Sequence, residues 1–569
     1  MRILLLTHAF NSLTQRLAAE LRQRAHQVSI EFDIADSVTE EAVQLFRPEL
    51  IVAPYLRRAI PRSIWSHHVC LIVHPGIIGD RGPSALDWAI QKGAAQWGVT
   101  VLQAEADMDA GPVWADASFP MREAKKSSLY RNEVTQASVA AVLEAVQHFE
   151  SGDFKPQALA SFAAPPGCLR PLMTQTDRCL DWQRDDSATV LRKIHAADGF
   201  PGLGDSLFGE SCHLFDAWPE ARLRGTPGAI LARRETALLR ATVDGAVWIG
   251  HVKRNGGIKL PSTLAFKDES ASLPEAALNG WWQTDHPTWQ DIAYTELGAI
   301  GVLDFEFYNG AMSSVQCERL RTALCWAKAR PTQVLVLMGG ADFWSNGIHL
   351  NVIEAASLAG GSAADESWLN INAMNDLALE LINSPHHLTV AALGGNSGAG
   401  GCFLARACDL VWARATVLLN PHYKNMGNLY GSEYWTYLLP RRVGLEAAQA
   451  IMRDRQPLTA QGSQQIGLTD ACLAGDPATF RREVLQRASR LASASDLAQR
   501  LSTKNQTRQS DEAVKPLAAY REEELRQMRR NFYGFDPSYH IARHHFVQKS
   551  PASWTPRHLA RHRDLGWGL

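Results

Sequence analysis

The run Gly394-Gly395-Asn396-Ser397-Gly398-Ala399-Gly400-Gly401-Cys402 places five glycines in eight residues, between the apolar segment Leu388 to Leu393 and the helix-like Phe403 to Ala407. A chain built this way turns sharply between a strand and a helix and brings bare N–H groups close to whatever lies outside. A carbonyl set against such groups is polarised, which suits thioester chemistry. No Lys-Ser/Thr follows, so the run is not a Walker loop. Spacing alone leaves a tight turn and an anion-accepting site equally open.

The rest of the chain narrows the choice. Its 569 residues imply three or four domains at about 150 residues each. Hydrophobic residues make up 46% and charged ones 20%, a globular composition with ample core. A formal charge of −2 gives no case for a nucleic-acid or membrane surface. Nine cysteines lie scattered without a C-x-x-C pair, so neither a disulfide framework nor a zinc ribbon is expected. The apolar start Ile3 to Leu6 is too short for a signal peptide, and no segment of about 20 apolar residues occurs. A cytoplasmic enzyme is the expectation.

In the first half, Ile3 to Leu6, Val28 to Phe32, Leu50 to Ala53 and Val69 to Val73 read as strands. Helices are expected at Leu13 to Ala25 and Glu40 to Phe46. This alternation predicts a mostly parallel sheet. The first turn, Thr7 to Ser12, lacks Gly-x-Gly, which argues against a dinucleotide site. The fourth strand ends at His74-Pro75-Gly76, followed by Ile77 to Ser84 and a helix over Ala85 to Ile90. Ligands in open parallel sheets bind beyond the carboxyl ends of strands, where His74 would sit. Farther on, Asp107-Met108-Asp109-Ala110-Gly111-Pro112 opens a loop, and a carboxylate there could orient an imidazole and stabilise its cation. Singly, each residue also reads as an ordinary loop position.

Together, His74-Pro75-Gly76 with Gly82-Pro83, then Trp88-Ala89-Ile90, Gly98-Val99-Thr100 and Asp109-Ala110-Gly111-Pro112 resemble the formyl-tetrahydrofolate-dependent formyltransferases. The resemblance implies that His74 and Asp109 take the catalytic histidine and aspartate positions. It also implies that Pro54 to Pro61 cradles the pterin, with Leu56, Arg57 and Ala59 in contact, and it adds Asp107 to the cofactor-binding positions. The family's Asn-x-His triplet carries Ile72 in place of asparagine. Losing one such oxyanion donor costs about 10²–10³ in rate in other enzymes. A thiol, with a reference pKa of about 8.5, is an easier nucleophile than an amine, so the acceptor is inferred to be something other than the usual amine. A helix is expected over Ser127 to Phe149 and a boundary at Ser161 to Gly167. Alternating strands near Gly228 to Leu231, Ala237 to Thr242 and Ala246 to Lys253 resemble the small barrel-like carboxyl-terminal part of the same formyltransferases, with a structural role.

The second half restarts with a strand at Gly301 to Phe305, a helix over Val315 to Ala329 and a strand at Val334 to Leu337. Phe343-Trp344-Ser345-Asn346-Gly347-Ile348, the opening glycine run and Ala405 to Leu410 resemble the enoyl-CoA hydratase/isomerase (crotonase) superfamily. The resemblance implies that backbone N–H groups of Ile348 and Gly400 form an oxyanion hole, with Asn346 and Gly347 at the cofactor. One family glutamate falls on Phe403 and the other near His422, so ordinary hydration loses its acid-base groups. His349, His422, Tyr423, Tyr430 and Glu433 are replacement candidates, each also readable as structural. Arg482 to Lys504 reads as helical, as does the His- and Arg-rich tail from Ala518. His544-His545 and the four-spaced His558 and His562 lack the ligand set of a metal site, and no metal is expected.

A folate formyltransferase joined to a crotonase without its glutamates, with the Tyr539-His540-Ile541-Ala542-Arg543 tail, resembles the HoxX-type maturation proteins of [NiFe]-hydrogenase. The resemblance implies formyl-tetrahydrofolate and coenzyme A as cofactors, and formyl transfer to the CoA thiol. Decarbonylation of formyl-CoA to carbon monoxide would follow, with His422, Tyr430 or Glu433 moving the proton. Transient contact with the hydrogenase maturation machinery is implied, with no nucleic-acid or membrane partner. Two alternatives stay open, a formyl-CoA synthase or hydrolase releasing formate and a non-catalytic scaffold docking a hydrogenase subunit. The expected fold is multidomain α/β. It comprises a formyltransferase domain (1–165), a barrel-like subdomain (166–266), a linker (267–290), a crotonase-like domain (291–500) and a helical extension (501–569).

Overall fold

The computed structural model describes residues 1–163 and 165–564; Ala164 of the expected boundary and the last five residues of the expected extension lie outside the described residues. The chain forms two compact units. One comprises Met1–Asn255, Pro261–Pro274 and the chain from Pro551 onward; the other comprises Gly256–Leu260 and Glu275–Ser550.

The first unit holds a six-stranded sheet in the order Gln27–Phe32, Arg2–Thr7, Leu50–Tyr55, Cys70–His74, Gln96–Gln103, Val113–Pro120. The first four strands are parallel and the last two antiparallel. Three of the four parallel strands, Arg2–Thr7, Leu50–Tyr55 and Cys70–His74, read as nearly continuous apolar runs because both their faces are buried. Residues 126–151 form one helical stretch, as expected, interrupted by a π turn at Tyr130–Val134. A second, antiparallel sheet runs Leu203–Leu207, Glu210–Glu220, Ala246–Arg254, Ala237–Ala241, Ile230–Arg234. It is fastened to the first domain where Lys125 Nζ reaches Asp216 Oδ1 at 2.8 Å and Ser127 Oγ donates to Asp198 Oδ1 at 2.9 Å.

The second unit is built on a sheet ordered Ile292–Leu297, Ile300–Phe305, Val334–Gly339, Leu388–Leu393, Leu410–Arg414, Ala471–Leu473. A small four-stranded layer joins Phe343–Ser345 to Asn396–Gly398, Leu418–Asn420 and Leu458–Thr459. The expected single helix over Arg482 to Lys504 is two, Pro477–Ala492 and Leu497–Val514, separated at residues 493–496.

Two expected segments are divided differently. The stretch 267–290 is shared between the units. Helix Lys267–Ala271 stays with the first, and Trp282 packs edge-on against Tyr294 and Trp326 in the second. The extension 501–569 also splits. Its long helices brace the second unit, where Tyr539 bonds Ser367 at 2.7 Å and Glu354 is held by Arg543 at 2.8 Å and His544 at 2.7 Å.

The segment after Pro551 covers the edge strand Gln27–Phe32 of the first unit. Ile30 N–H donates to Leu559 O, and Phe32 N–H donates to Thr555 Oγ1. Ser29 and Glu31 share one face of that strand, and His562 bridges them, its Nδ1 2.7 Å from Ser29 Oγ and its Nε2 2.8 Å from Glu31 Oε2. Arg563 and Thr555 also reach Glu31. Glu31 and His562 are both completely buried. Two of the histidines weighed as metal ligands therefore have carboxylate partners instead. His562→Ala is expected to destabilise the first unit by about 3 kcal/mol, since it leaves a buried charge short of a partner. A lowered first-unit transition in thermal melting checks this.

Candidate active sites

In the first unit, strand Cys70–His74 delivers His74 to the carboxyl edge of the sheet. Gly76 is required beside it, because a Cβ there would lie 2.5 Å from His74 Nε2. The imidazole sits between two carboxylates. Nδ1 lies 3.5 Å from Asp109 Oδ2, an ion-pair distance, and Nε2 lies 3.1 Å from Asp80 Oδ1. Asp109 takes a left-handed backbone (φ 55°), and Gly82 N–H donates to its Oδ2 at 3.2 Å. The expected His74–Asp109 pair is thus brought together, and Asp80, which sequence reasoning missed, faces the other ring nitrogen. Asp80 stands two residues before Gly82, but nothing local in the sequence shows that it folds back onto His74.

Ile72 lies two residues before His74 on the same face of the strand, half-buried against the cluster that also takes Leu56. The loop expected to hold the pterin is anchored by Asp33, also missed. Its Oδ2 accepts from Arg57 N–H at 3.1 Å and Arg58 N–H at 3.4 Å, and His8 Nδ1 lies 2.8 Å from its Oδ1. Arg57 and Ala59 are exposed on that loop, and Asp107 is exposed on the other.

In the second unit, Asn346-Gly347-Ile348 and the glycine run meet through backbone. Phe343 pairs with Asn396 and Ser345 with Ser397 in parallel register. Gly347 (φ 80°) approaches so closely that a Cβ there would lie 3.3 Å from Gly400 N. A Cβ on Gly401 would strike Ser345 O at 2.1 Å. Ala399, the one non-glycine in this turn, is forced to φ 47°. Helix Gly400–Arg406 begins at the expected donor. Ile348 is fixed on its other side, since Met312 N–H donates to Gly347 O at 2.9 Å and His349 N–H to Asn370 Oδ1 at 2.9 Å.

Phe403, where a hydratase glutamate would stand, stacks on Tyr423 at 5.5 Å between ring centroids. The Tyr423 hydroxyl donates to Ser432 O at 2.8 Å and touches Glu433 Oε2 at 2.5 Å. The other Glu433 oxygen, Oε1, is buried without a hydrogen-bond partner. It lies where a Cβ on Gly400 would be 2.5 Å away. Burial, partly offset by the Tyr423 contact and reinforced by Glu524, pushes the Glu433 carboxyl up to about 8. Burial, with Glu433 adding to it, drives the Tyr423 phenol well above its ordinary value.

The other candidates are placed less directly. Tyr430 packs its ring on Trp435 at 5.5 Å, so Tyr423 is the tyrosine that meets Glu433. His349 caps the helix Leu350–Leu358 through Val352 N–H. His422 is buried beside Tyr423. Among the described residues no group of three or more metal-ligating side chains occurs, and no helix is long and apolar enough to cross a membrane.

These two sites match two known families. Residues 30–146 match the formyl transferase family, 172–268 the formyl transferase C-terminal domain, and 309–557 the enoyl-CoA hydratase/isomerase family. The chain thus carries formyl transferase-like domains joined to an enoyl-CoA hydratase/isomerase-like domain. Methionyl-tRNA formyltransferase of Granulibacter bethesdensis is 27% identical over 33% of this chain and 57% of its own length. Two relatives extend the likeness to the whole chain. Hydrogenase maturation factor HoxX of Bradyrhizobium diazoefficiens is 53% identical, covering 99% of this chain and 97% of that one. The crystal structure of HypX from Aquifex aeolicus in complex with tetrahydrofolic acid is 47% identical, covers 100% of both chains and superposes with a TM-score of 0.96. The chain belongs to the HoxX/HypX family of hydrogenase maturation factors.

Proposed function

We propose that this chain moves a formyl group from formyl-tetrahydrofolate to the thiol of coenzyme A in the first site, and splits formyl-CoA to carbon monoxide and coenzyme A in the second. The carbon monoxide would serve as a ligand for the hydrogenase iron. Folate binding is supported by the tetrahydrofolate complex of the HypX relative and by the formyl transferase match. Coenzyme A is supported by the enoyl-CoA hydratase/isomerase match and by the bare backbone at Gly347 and Gly400, where a Cβ would press on Gly400 N in the one case and on the Glu433 carboxyl in the other.

In the first step the CoA sulfur bonds to the formyl carbon, and the bond from that carbon to the folate nitrogen breaks. The protonated His74 ring, oriented by Asp109 and Asp80, stabilises the tetrahedral adduct and gives its proton to the leaving nitrogen. The proton lost by the thiol restores it. Ile72 at the place of the usual amide donor fits an acceptor that needs less help than an amine.

In the second step Ile348 and Gly400 N–H groups hold the formyl oxygen. The Glu433 carboxylate takes the formyl hydrogen as a proton, the carbon–sulfur bond breaks with its electron pair on sulfur, and carbon monoxide leaves. Glu433 then returns the proton to the thiolate. A base near 8 is well matched to a thiol near 8.5. The observation that carries this reading is Glu433 Oε1, buried, without a partner and set against Gly400.

The test is the purified chain with formyl-tetrahydrofolate and coenzyme A, with evolved gas captured on a reduced haem protein and formate assayed alongside. Carbon monoxide in step with formyl-folate consumption is expected. Formate in its place would identify a hydrolase, and no turnover with retained binding of a hydrogenase subunit would identify a scaffold.

A further inference from the structure

Glu433 and Tyr434 are consecutive non-glycine residues in the left-handed region, with φ of 58° and 59°. Such a backbone is strained for a non-glycine residue and persists only when its surroundings hold it. Two buried side chains from distant segments do so. Asn375 Oδ1 accepts from Glu433 N–H at 2.7 Å and from Ser432 Oγ at 2.8 Å. Glu524, in helix Leu517–Tyr533, is completely buried, yet among the described residues no lysine or arginine pairs with its carboxylate. It accepts from Tyr434 N–H at 2.9 Å, Thr436 N–H at 2.9 Å and Thr436 Oγ1 at 2.5 Å. The helix Trp435–Val443 starts here with no cap from its own chain neighbours, so Glu524 supplies the cap from outside.

We infer that Glu524 is a positioning residue for the second site, holding the left-handed Glu433–Tyr434 pair so that Glu433 Oε1 is aimed at Gly400. The inference rests on the reading of Glu433 as the base for carbon monoxide release. A residue serving packing alone would not be a carboxyl here, because a buried polar group is expensive unless it is hydrogen-bonded. The three hydrogen bonds come from Tyr434, the residue after Glu433, and Thr436, in the first turn of the helix that follows. Glu524 also acts electrically. Burial carries its own carboxyl up to about 7 against the pull of the Thr436 and Tyr434 donors, and its charge raises Glu433 in turn. The titratable groups facing the pair are Tyr423 and Cys317 around Glu433, with Tyr430 and Tyr434 near Glu524. Tyr423, Cys317 and Tyr430 stay protonated across the neutral range, each pushed up chiefly by burial.

The experiment uses the full chain with formyl-tetrahydrofolate and coenzyme A. Glu524→Gln places an amide N–H₂ where Tyr434 N–H needs an acceptor and removes the charge beside Glu433. Carbon monoxide release is expected to fall about 100-fold, the loss that a displacement near 1 Å produces. Formyl transfer, read as formyl-CoA accumulation, should be unchanged. The residual release should rise with pH at a lower value than in the wild type, because Glu433 loses its anionic neighbour. Glu524→Asp keeps the charge but draws back by one methylene. It should lose at least tenfold in rate with the pH profile held in place, and it decides the matter if the glutamine variant does not fold. A folded Glu524→Gln or Glu524→Asp with wild-type rate and pH profile overturns the inference while leaving Glu433 as the base. A Glu433→Gln chain that still releases carbon monoxide overturns the underlying reading instead.

Discussion

Glu433→Gln should abolish carbon monoxide release, with a loss of about 10²–10⁴-fold, the usual contribution of a positioned general base. Formyl-CoA should accumulate in its place, because the first site is untouched, and mass spectrometry of the CoA pool checks this directly. The substitution keeps size and a polar head, so Tyr423 retains an acceptor. The pH dependence carries a second signature. With the carboxyl at about 8, the wild-type rate should climb through that pH as the carboxylate forms, whereas the glutamine chain should show no such limb. Stability runs the other way. The folded chain keeps the Glu433 proton between the ordinary carboxylate range and about 8, so the stability linked to it is full below that range and lost as the pH rises through about 8. Glu433→Gln should therefore melt with a flatter pH dependence between the ordinary carboxylate range, about 4.5, and about 8. A glutamine variant with undiminished gas release would remove Glu433 from the chemistry.

The second large effect is expected at His74. His74→Gln should slow formyl-folate consumption by about 10²–10⁴-fold, since the side chain proposed to donate the proton to the leaving nitrogen is gone. Its amide still offers a donor to Asp80, whose other oxygen keeps Arg170 Nε at 3.2 Å, so the buried carboxylate stays partnered. When the variant is supplied with formyl-CoA, gas release should proceed at the wild-type rate. Loss of both activities together would show that the substitution had unsettled the chain as a whole. Absorbance change on formyl-folate conversion and gas capture separate these outcomes.

Some parts of both sites were legible because the chemistry belongs to short contiguous runs. The proposed donors at Ile348 and Gly400 are backbone groups, and the glycines that let two backbones approach within a few ångströms stand at or beside them in the chain. His74 and Gly76 are likewise neighbours for a steric reason, since any side chain at Gly76 would strike the imidazole. Strands buried on both faces announced themselves as apolar runs, and the tail announced itself as helix.

Other parts could not be read in this way. Asp80 returns to His74 from beyond a turn, Asp33 reaches the Arg57 loop from another strand, and His562 reaches Glu31 across more than five hundred residues. Each pairing depends on which elements the sheet sets side by side. The sequence left His422, Tyr430 and Glu433 as rival proton carriers because it carries no information about which side chain points where after a turn. Two left-handed residues turn Glu433 toward Gly400, and Asn375 and Glu524, from helices far apart in the chain, hold that turn.

By itself, then, the sequence determined most strands and helices and the glycines at which two backbones approach, because apolar periodicity and glycine act within a few residues. Only the tertiary structure decided which carboxylates flank His74, which acid lies against Gly400, and where the tail closes. Burial and long-range hydrogen bonding arise from elements brought together by the whole fold.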